Sequence, residues 1–316
     1  TGGIPHVEVV STAGGKTITM ASLLEYYYQN ANKFFKGLII VPDLGLVNQT
    51  NEDFNDYETG FSHSIWSGNN ELNNNTNIVI ANMGILQSEK SDIKWLSDID
   101  ILIVDETHKL RKDNKINKII KSIKTTHKFG FTGTLPEEPL DMWNIFGKIG
   151  PKLYERKAYE LREDNYVTPA KVHIFQLNYK AIQSEIYDKE IPMSFYLQEG
   201  EFIKTNEYRN NFISKITSCL DNNTLILIDY IEHGEILFEC LTKFCKDKKV
   251  FFIQGDVEVT ERKKIQNLME TDKDIIVIAI SKIFSTGINI KNLHYIIFAN
   301  GGKAKIRIIQ SIGRGL

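Results

Sequence analysis

Ser11-Thr12-Ala13-Gly14-Gly15-Lys16-Thr17 combines small residues with a lysine and a hydroxyl, between an apolar run and a helix-forming stretch. That is the setting of a phosphate-binding loop: small residues let backbone N–H groups curl around phosphate oxygens, and the following helix N-terminus favours an anion. Lys16 would reach the β- and γ-phosphates and the Thr17 hydroxyl would ligate Mg2+. Val10 stands where the strict pattern has a first glycine. A second group, Ile101-Leu-Ile-Val-Asp105-Glu106-Thr-His108, places two carboxylates after four apolar residues. Acids leaving the carboxyl end of a buried strand lie on the edge where open α/β sheets bind ligands. Asp105 is expected to hold Mg2+ with Thr17, and Glu106 to polarise an attacking water. Thr132-Gly133-Thr134 ends another apolar run and could link nucleotide state to movement. Gln310-Ser-Ile-Gly313-Arg314 offers an arginine that could stabilise charge on a transferring phosphoryl group.

Such loops need strands to carry them. Apolar runs at His6–Val10, Gly37–Val41, Asn77–Ala81, Ile99–Val104, Lys128–Phe131, Thr224–Ile228, Val250–Ile253, Asp274–Ile280 and Tyr295–Phe298 are continuous rather than alternating. That is the pattern of parallel strands buried on both faces. Ile18–Gln29, Ile116–Ser122 and Gly234–Phe244 read as crossover helices, giving an α/β fold. Five strands precede residue 135 and four follow 223, so two domains are expected, 1–165 and 166–316. Thr168-Pro169 disfavours helix at the junction, and Lys171–Leu177 is expected to be the strand that opens the second domain.

Composition narrows the classes. The chain has 316 residues with 42% hydrophobic and 25% charged residues, as in soluble globular proteins. No apolar run approaches the ~20 residues of a membrane span. Three cysteines, Cys219, Cys240 and Cys245, and no paired metal-ligand spacing argue against a disulfide framework or a zinc site, and a reducing, cytoplasmic compartment fits. A net charge of -2 excludes a strongly basic coat but leaves room for a local basic groove. The lysines between His108 and Lys128 wrap around a helix and read as a solvated face before a nucleic-acid contact. Tyr26, Tyr27, Tyr28, Phe34 and Phe35 are expected to pack the first helix on the sheet. The missing initiator Met and the stop inside a motif lead us to expect a fragment, truncated at both ends.

Taken in order, these blocks resemble the superfamily 2 helicases over nearly the whole chain. Ser11–Thr17 is similar to motif I, Val41–Gln49 to motif Ia, Asp105–His108 to a DExH motif II, Thr132–Thr134 to motif III, Thr224–Asp229 to motif IV, Phe284–Asn289 to motif V and Gln310–Arg314 to motif VI. Gln254–Arg262, Ile283–His294 and Ile231–Gly234 resemble in more detail the recombination helicases of T-even-type phages. Thr107 stands where DEAH enzymes carry Ala, and Asn289 where Asp is common. The resemblance implies two tandem RecA-like domains and an ATP-dependent motor acting on branched DNA and RNA–DNA hybrids. It implies ATP and Mg2+ as cofactors, and single-stranded or branched DNA, with RNA–DNA hybrid, as partners. Ser11, Thr12, Ala13, Gly14, Gly15, Lys16, Thr17, Gly287 and Asn289 would hold the nucleotide. Lys16, Asp105, Glu106, His108, Gln310 and Arg314 would carry catalysis, and His108 could couple the site to the second domain. Pro42, Asn82, Thr132, Thr134, Ser285 and Thr286 would touch nucleic acid or couple the two activities. The alternatives are a duplex translocase of a restriction-type or remodelling machine, and an ATP-gated clamp that does not unwind. Polarity, step size and oligomeric state are not encoded in any motif.

Overall fold

A computed structural model of the chain describes residues 4–11, 14–68, 70–88, 94–111, 115–166, 171–178, 194–254, 259–281 and 292–299. The chain divides into two compact units, Thr1–Pro169 and Ala170–Gly315.

In the first unit seven strands are β1 (His6–Val10), β2 (Gly37–Val41), β3 (His63–Trp66), β4 (Ile78–Asn82), β5 (Ile101–Asp105), β6 (His127–Thr132) and β7 (Lys152–Arg156). They form one sheet in the order β3-β4-β2-β5-β6-β1-β7, and every pairing is parallel. Because all strands run the same way, the loops after β4, β2, β5, β6, β1 and β7 leave from one edge. The helices between them are α1 (Lys16–Gln29), α2 (Leu44–Asp56), α3 (Met83–Gln87), α4 (Lys115–Ser122), α5 (Pro139–Phe146) and α6 (Ala158–Glu163). Leu38 to Val41 and Ile101 to Val104 are fully buried, as continuous apolar strands must be when both faces are covered. Successive side chains point to opposite faces, so Val7, Val9, Leu38, Ile40, Leu102 and Val104 fill one layer. Ile39, Val41, Ile101, Ile103, Phe129 and Phe131 fill the other, under Met20, Ala21 and Leu24 of α1.

The second unit holds β8 (Thr224–Ile228), β9 (Lys249–Ile253), β10 (Ile275–Ile280) and β11 (Tyr295–Phe298) in the parallel order β11-β8-β10-β9. Its helices are α7 (Phe195–Thr205), α8 (Glu207–Ser218), α9 (Ile231–Phe244) and α10 (Val259–Thr271). Asn223, fully buried just before β8, knots the amino-terminal edge of this sheet. Its Nδ2 donates to Met269 O at 2.7 Å, Asp272 O at 3.0 Å and Asn292 O at 3.0 Å, and its Oδ1 accepts from Ile275 N at 3.0 Å. At the opposite edge His233 is 2% exposed, with Nε2 at 3.1 Å from Asn210 Oδ1 and 3.4 Å from Arg209 Nη1. Burial, then the charges of Arg209 and Lys204, push the imidazole down to about 4.

Several expectations need correction. Lys171–Leu177 is not a strand: it has no ladder partner among the described residues, and Val172, Ile174 and Phe175 are 70%, 89% and 59% exposed. Apolar alternation supplies a strand's side chains but not a neighbour for its backbone. Tyr26 and Phe34 point to solvent, while Phe35 is buried and Tyr27 and Tyr28 are half-buried against the core. Strands β3 and β7 lie at the sheet's margins and were not expected; β7 is mostly exposed, so it lacks a buried-strand pattern. On α4, Ile116, Ile119 and Ile120 are buried and Lys115, Lys118 and Lys121 face solvent. Among the described residues no helix is long and apolar enough to cross a membrane.

Two outcomes follow from the second unit's polar core. Asn223→Ala would strand one N–H and three carbonyls, so a loss of about 3 kcal/mol is expected in denaturant titration. His233 takes a proton near 6.5 when unfolded but only near 4 when folded. Between those values the unfolded chain binds more protons, so the contribution is complete above 6.5 and lost as pH falls toward 4. The loss amounts to about 3 kcal/mol, and His233→Gln should flatten that part of the pH–stability curve.

Candidate nucleotide and hydrolysis site

The loop between β1 and α1 is shaped by two glycines. Gly15, the N-cap of α1, has φ 81° and ψ 26°, the left-handed region that favours glycine. Gly14 admits no side chain, since a Cβ there would stand 2.5 Å from Val10 Cγ1 and 2.9 Å from Ser11 O. Ser11 N–H donates to Arg156 O at 3.1 Å and Gly14 N–H to Ser11 O at 2.9 Å, which fixes the loop's base against β7. Lys16 Nζ then folds back over the loop to Val10 O at 3.5 Å. Thr17 lies one residue into α1, and its side chain is a polar neighbour of the Asp53 carboxylate of α2. Burial raises the Asp53 carboxyl above its usual range, and this contact opposes the rise.

Strand β6 alone separates β1 from β5, so the acids reach the same neighbourhood. Asp105 is 6% exposed. Burial first, and then the charge of Glu106, push its carboxyl up to about 7; Lys16, the Glu106 N–H and Asp43 act on it more weakly, the first two downward. Asp43, the N-cap of α2, accepts from Leu46 N at 3.1 Å and adds a third acid facing this point. Glu106 has φ 51°, an unusual conformation for a side chain of its size. That turn lets Glu106 N–H donate to Asp105 Oδ1 at 2.8 Å while its carboxylate reaches His108 Nδ1 at 3.0 Å.

His108 joins the acids to the loop after β6. Its Nδ1 lies 3.0 Å from Thr132 Oγ1 as well as from Glu106 Oε2. Thr132 Oγ1 donates to Thr134 O at 2.8 Å and accepts from Thr134 N at 3.3 Å. Thr132 has therefore committed its proton, and the Glu106 carboxylate can only accept. The Nδ1 proton of His108 sits between the two. Sequence reasoning missed the groups that steady this turn. Thr107 Oγ1 donates to Phe131 O at 3.4 Å, and Asn117 Nδ2 and Lys148 Nζ both donate to Leu110 O, at 3.3 and 3.4 Å. Nothing in the local motif marks Asn117 or Lys148, which come from later elements.

The remaining expected residues are less tightly gathered. Pro42 follows the last residue of β2 and precedes Asp43, and Asn82 ends β4, where its side chain caps α3 by accepting from Gly84 N at 2.7 Å. Both are on the same sheet edge, further from the β1 loop. Thr12, Ala13, Ser285, Thr286, Gly287, Asn289, Gln310 and Arg314 lie outside the described residues. Among the described residues no group of three or more His, Cys, Asp or Glu side chains could hold a metal ion. One buried carboxylate, Asp105, near the phosphate-loop lysine fits Mg2+, which usually binds through one or two carboxylates plus substrate phosphates.

Thr132→Val removes His108's second acceptor. It is expected to lower kcat for nucleotide hydrolysis about tenfold, a loss of roughly 1.4 kcal/mol, with KM unchanged and with Thr132→Ser restoring turnover.

Comparison with known proteins gives this geometry relatives. Residues 6–137 match the model of the type III restriction enzyme res subunit, and residues 209–316 match the helicase conserved C-terminal domain. The chain is 29% identical over 316 residues to the ATP-dependent DNA helicase uvsW of Enterobacteria phage T4, covering 96% of this chain and 61% of that one. It is 23% identical over 340 residues to the EcoAI type I restriction endonuclease subunit of Escherichia coli, covering 97% of this chain and 41% of that one. It thus spans about three fifths of the first relative and two fifths of the second. In fold it is similar to the helicase domain of Pyrococcus furiosus Hef, with a TM-score of 0.59 at 14% identity, over 99% of this chain and 90% of that one. Two parallel sheets, the first with the phosphate loop, the acid pair and Thr132 on one edge, are the tandem RecA-like architecture, and these matches make the chain similar to the superfamily 2 helicases.

Proposed function

We propose that this chain is the motor core of an ATP-dependent helicase that acts on branched DNA and RNA–DNA hybrids, in fork regression, branch migration and R-loop unwinding. The observation that carries the reading is the Lys16, Asp105, Glu106 and His108 constellation on one sheet edge, with His108 bonded to both Glu106 and Thr132. The likeness to an ATP-dependent DNA helicase of a phage supports DNA as a substrate. A phage origin, work in the host cytoplasm and roles in DNA repair and recombination belong to the same proposal.

The chemistry assigned to the residues is as follows. Ser11, Thr12, Ala13, Gly14 and Gly15 wrap the phosphates with backbone N–H groups, and Lys16 pairs with the β- and γ-phosphates. Thr17 and Asp105 would hold Mg2+, which would supply positive charge against the phosphate oxygens. Glu106 orients the attacking water and takes up its proton. His108 holds the Glu106 carboxylate and passes its position to Thr132, and so to the loop at Thr134. Gly287, Asn289, Gln310 and Arg314 are this chain's further nucleotide contacts. Pro42, Asn82, Thr134, Ser285 and Thr286 are assigned to the nucleic-acid backbone, where contacts carry little sequence information.

A second reading, a duplex translocase of a restriction-type machine, is favoured by the match of residues 6–137 to the restriction res subunit. ATP hydrolysis separates the cases. It should be measured on the complete protein alone, with single-stranded DNA, with forked DNA and with an RNA–DNA hybrid, beside Lys16→Ala. Strong stimulation by forked or hybrid substrate, with strand separation and loss in Lys16→Ala, is expected. Stimulation by intact duplex without strand separation would favour the translocase, and hydrolysis indifferent to nucleic acid would overturn both.

A further inference from the structure

The triphosphate site has a direction. Lys16 acts electrostatically on Asp105, and the sheet order puts Asp105 two strands to one side of β1, with β7 one strand to the other. At about 4.8 Å per strand, the acids lie roughly 10 Å from the β1 axis and β7 roughly 5 Å away on the far side. A γ-phosphate placed at Asp105 and Glu106 therefore sends the nucleoside end of the molecule toward the carboxyl end of β7.

What stands there is an exposed aromatic ring backed by a guanidinium. Arg156 closes β7, is in register with Val10, and its carbonyl accepts the Ser11 N–H that opens the phosphate loop. Its guanidinium carbon lies 5.2 Å from the centroid of the Tyr166 ring, and it is ion-paired with Asp164. Tyr166 is 70% exposed, and its N–H donates to Leu161 O at 2.8 Å. Leu161 in turn packs under the loop, with Cδ1 3.0 Å from where a Gly14 Cβ would be. The ring is tied to the loop through two short segments of backbone, yet its own surface contributes little to the core.

We propose that Tyr166, held by Arg156, is the platform on which the nucleobase of the bound nucleoside triphosphate stacks. This rests on the reading of Lys16 and its loop as the triphosphate site. Stacking accepts the π-face of any base, so the platform adds affinity for a nucleoside without selecting strongly among bases.

The test compares two ligands on the intact chain with Mg2+: ATP, and inorganic tripolyphosphate, which has the phosphates but no base. Tyr166→Ala is expected to weaken ATP binding about 5- to 150-fold, the range of base–aromatic stacking, and to leave tripolyphosphate within about twofold. Tyr166→Phe should keep the ATP affinity. Equal weakening of both ligands by Tyr166→Ala would mean that the ring supports the loop rather than the base, and no change in either would mean that the base lies elsewhere. Both results overturn the platform. Lys16→Ala should weaken both ligands; unchanged binding of both in that variant would show instead that the triphosphate reading beneath the proposal is wrong.

Discussion

Asp105 is a carboxylate held where its charge is disfavoured. Burial at the end of β5 and the neighbouring Glu106 charge both favour its protonated form, and Lys16 is the cation set against them. A divalent cation at that position would have two consequences at once: the carboxylate would gain the positive charge it lacks, and the cation a fixed ligand. Much of the local structure serves to keep this arrangement in place. The left-handed Gly15 starts α1 so that Lys16 lies over the loop, and the left-handed Glu106 bends its N–H back to Asp105. Such backbone conformations cost about 1–3 kcal/mol for a non-glycine residue and persist where their surroundings over-determine them. Here Thr107, Asn117 and Lys148 supply that constraint by fastening the turn after Glu106 to β6, α4 and the end of α5.

The two edges of these parallel sheets are stabilised in opposite ways. At the amino-terminal edges, side-chain amides and carboxylates are paired with backbone groups. Asn77 accepts from Ser62 N and donates to Phe35 O, Asp100 accepts from Lys36 N, and Asn223 makes four such bonds. Networks of that kind polarise one another and rigidify the elements they join. The carboxyl edge of the first sheet gathers like charges instead, with Asp43 and Glu106 both raising the Asp105 carboxyl. One edge fixes where the strands begin, and the other holds groups whose electrostatic needs a ligand can meet.

The sequence shows the buried strands because each is a run of residues with nowhere to go but a covered sheet. All nine apolar runs correspond to strands, and the phosphate loop and acid pair are legible because their chemistry is local: a glycine pair, a lysine, two acids after a hydrophobic run. What was illegible depends on partners far apart in the chain. Asn223 gives no hint that it binds Met269, Asp272, Ile275 and Asn292, and Lys148 none that its ammonium reaches Leu110. The tautomer of His108 likewise follows only from seeing Thr132 commit its proton to Thr134.

Strands β7 and the segment at 171–178 mark the limit of pattern reading from opposite directions. Lys152–Arg156 carries two lysine or arginine residues and a glutamate and has a mostly exposed burial pattern, yet it is a strand because β1 offers it a parallel partner in register from Tyr154 to Arg156. Residues 171–178 carry Val172, Ile174 and Phe175, a better strand by composition, and have no ladder among the described residues. A side-chain pattern records which face a strand would bury, whereas the backbone hydrogen bonds that make it a strand belong to its neighbour. For β7 that neighbour is the strand that leads into the phosphate loop, so an exposed margin of the sheet becomes part of the loop's foundation.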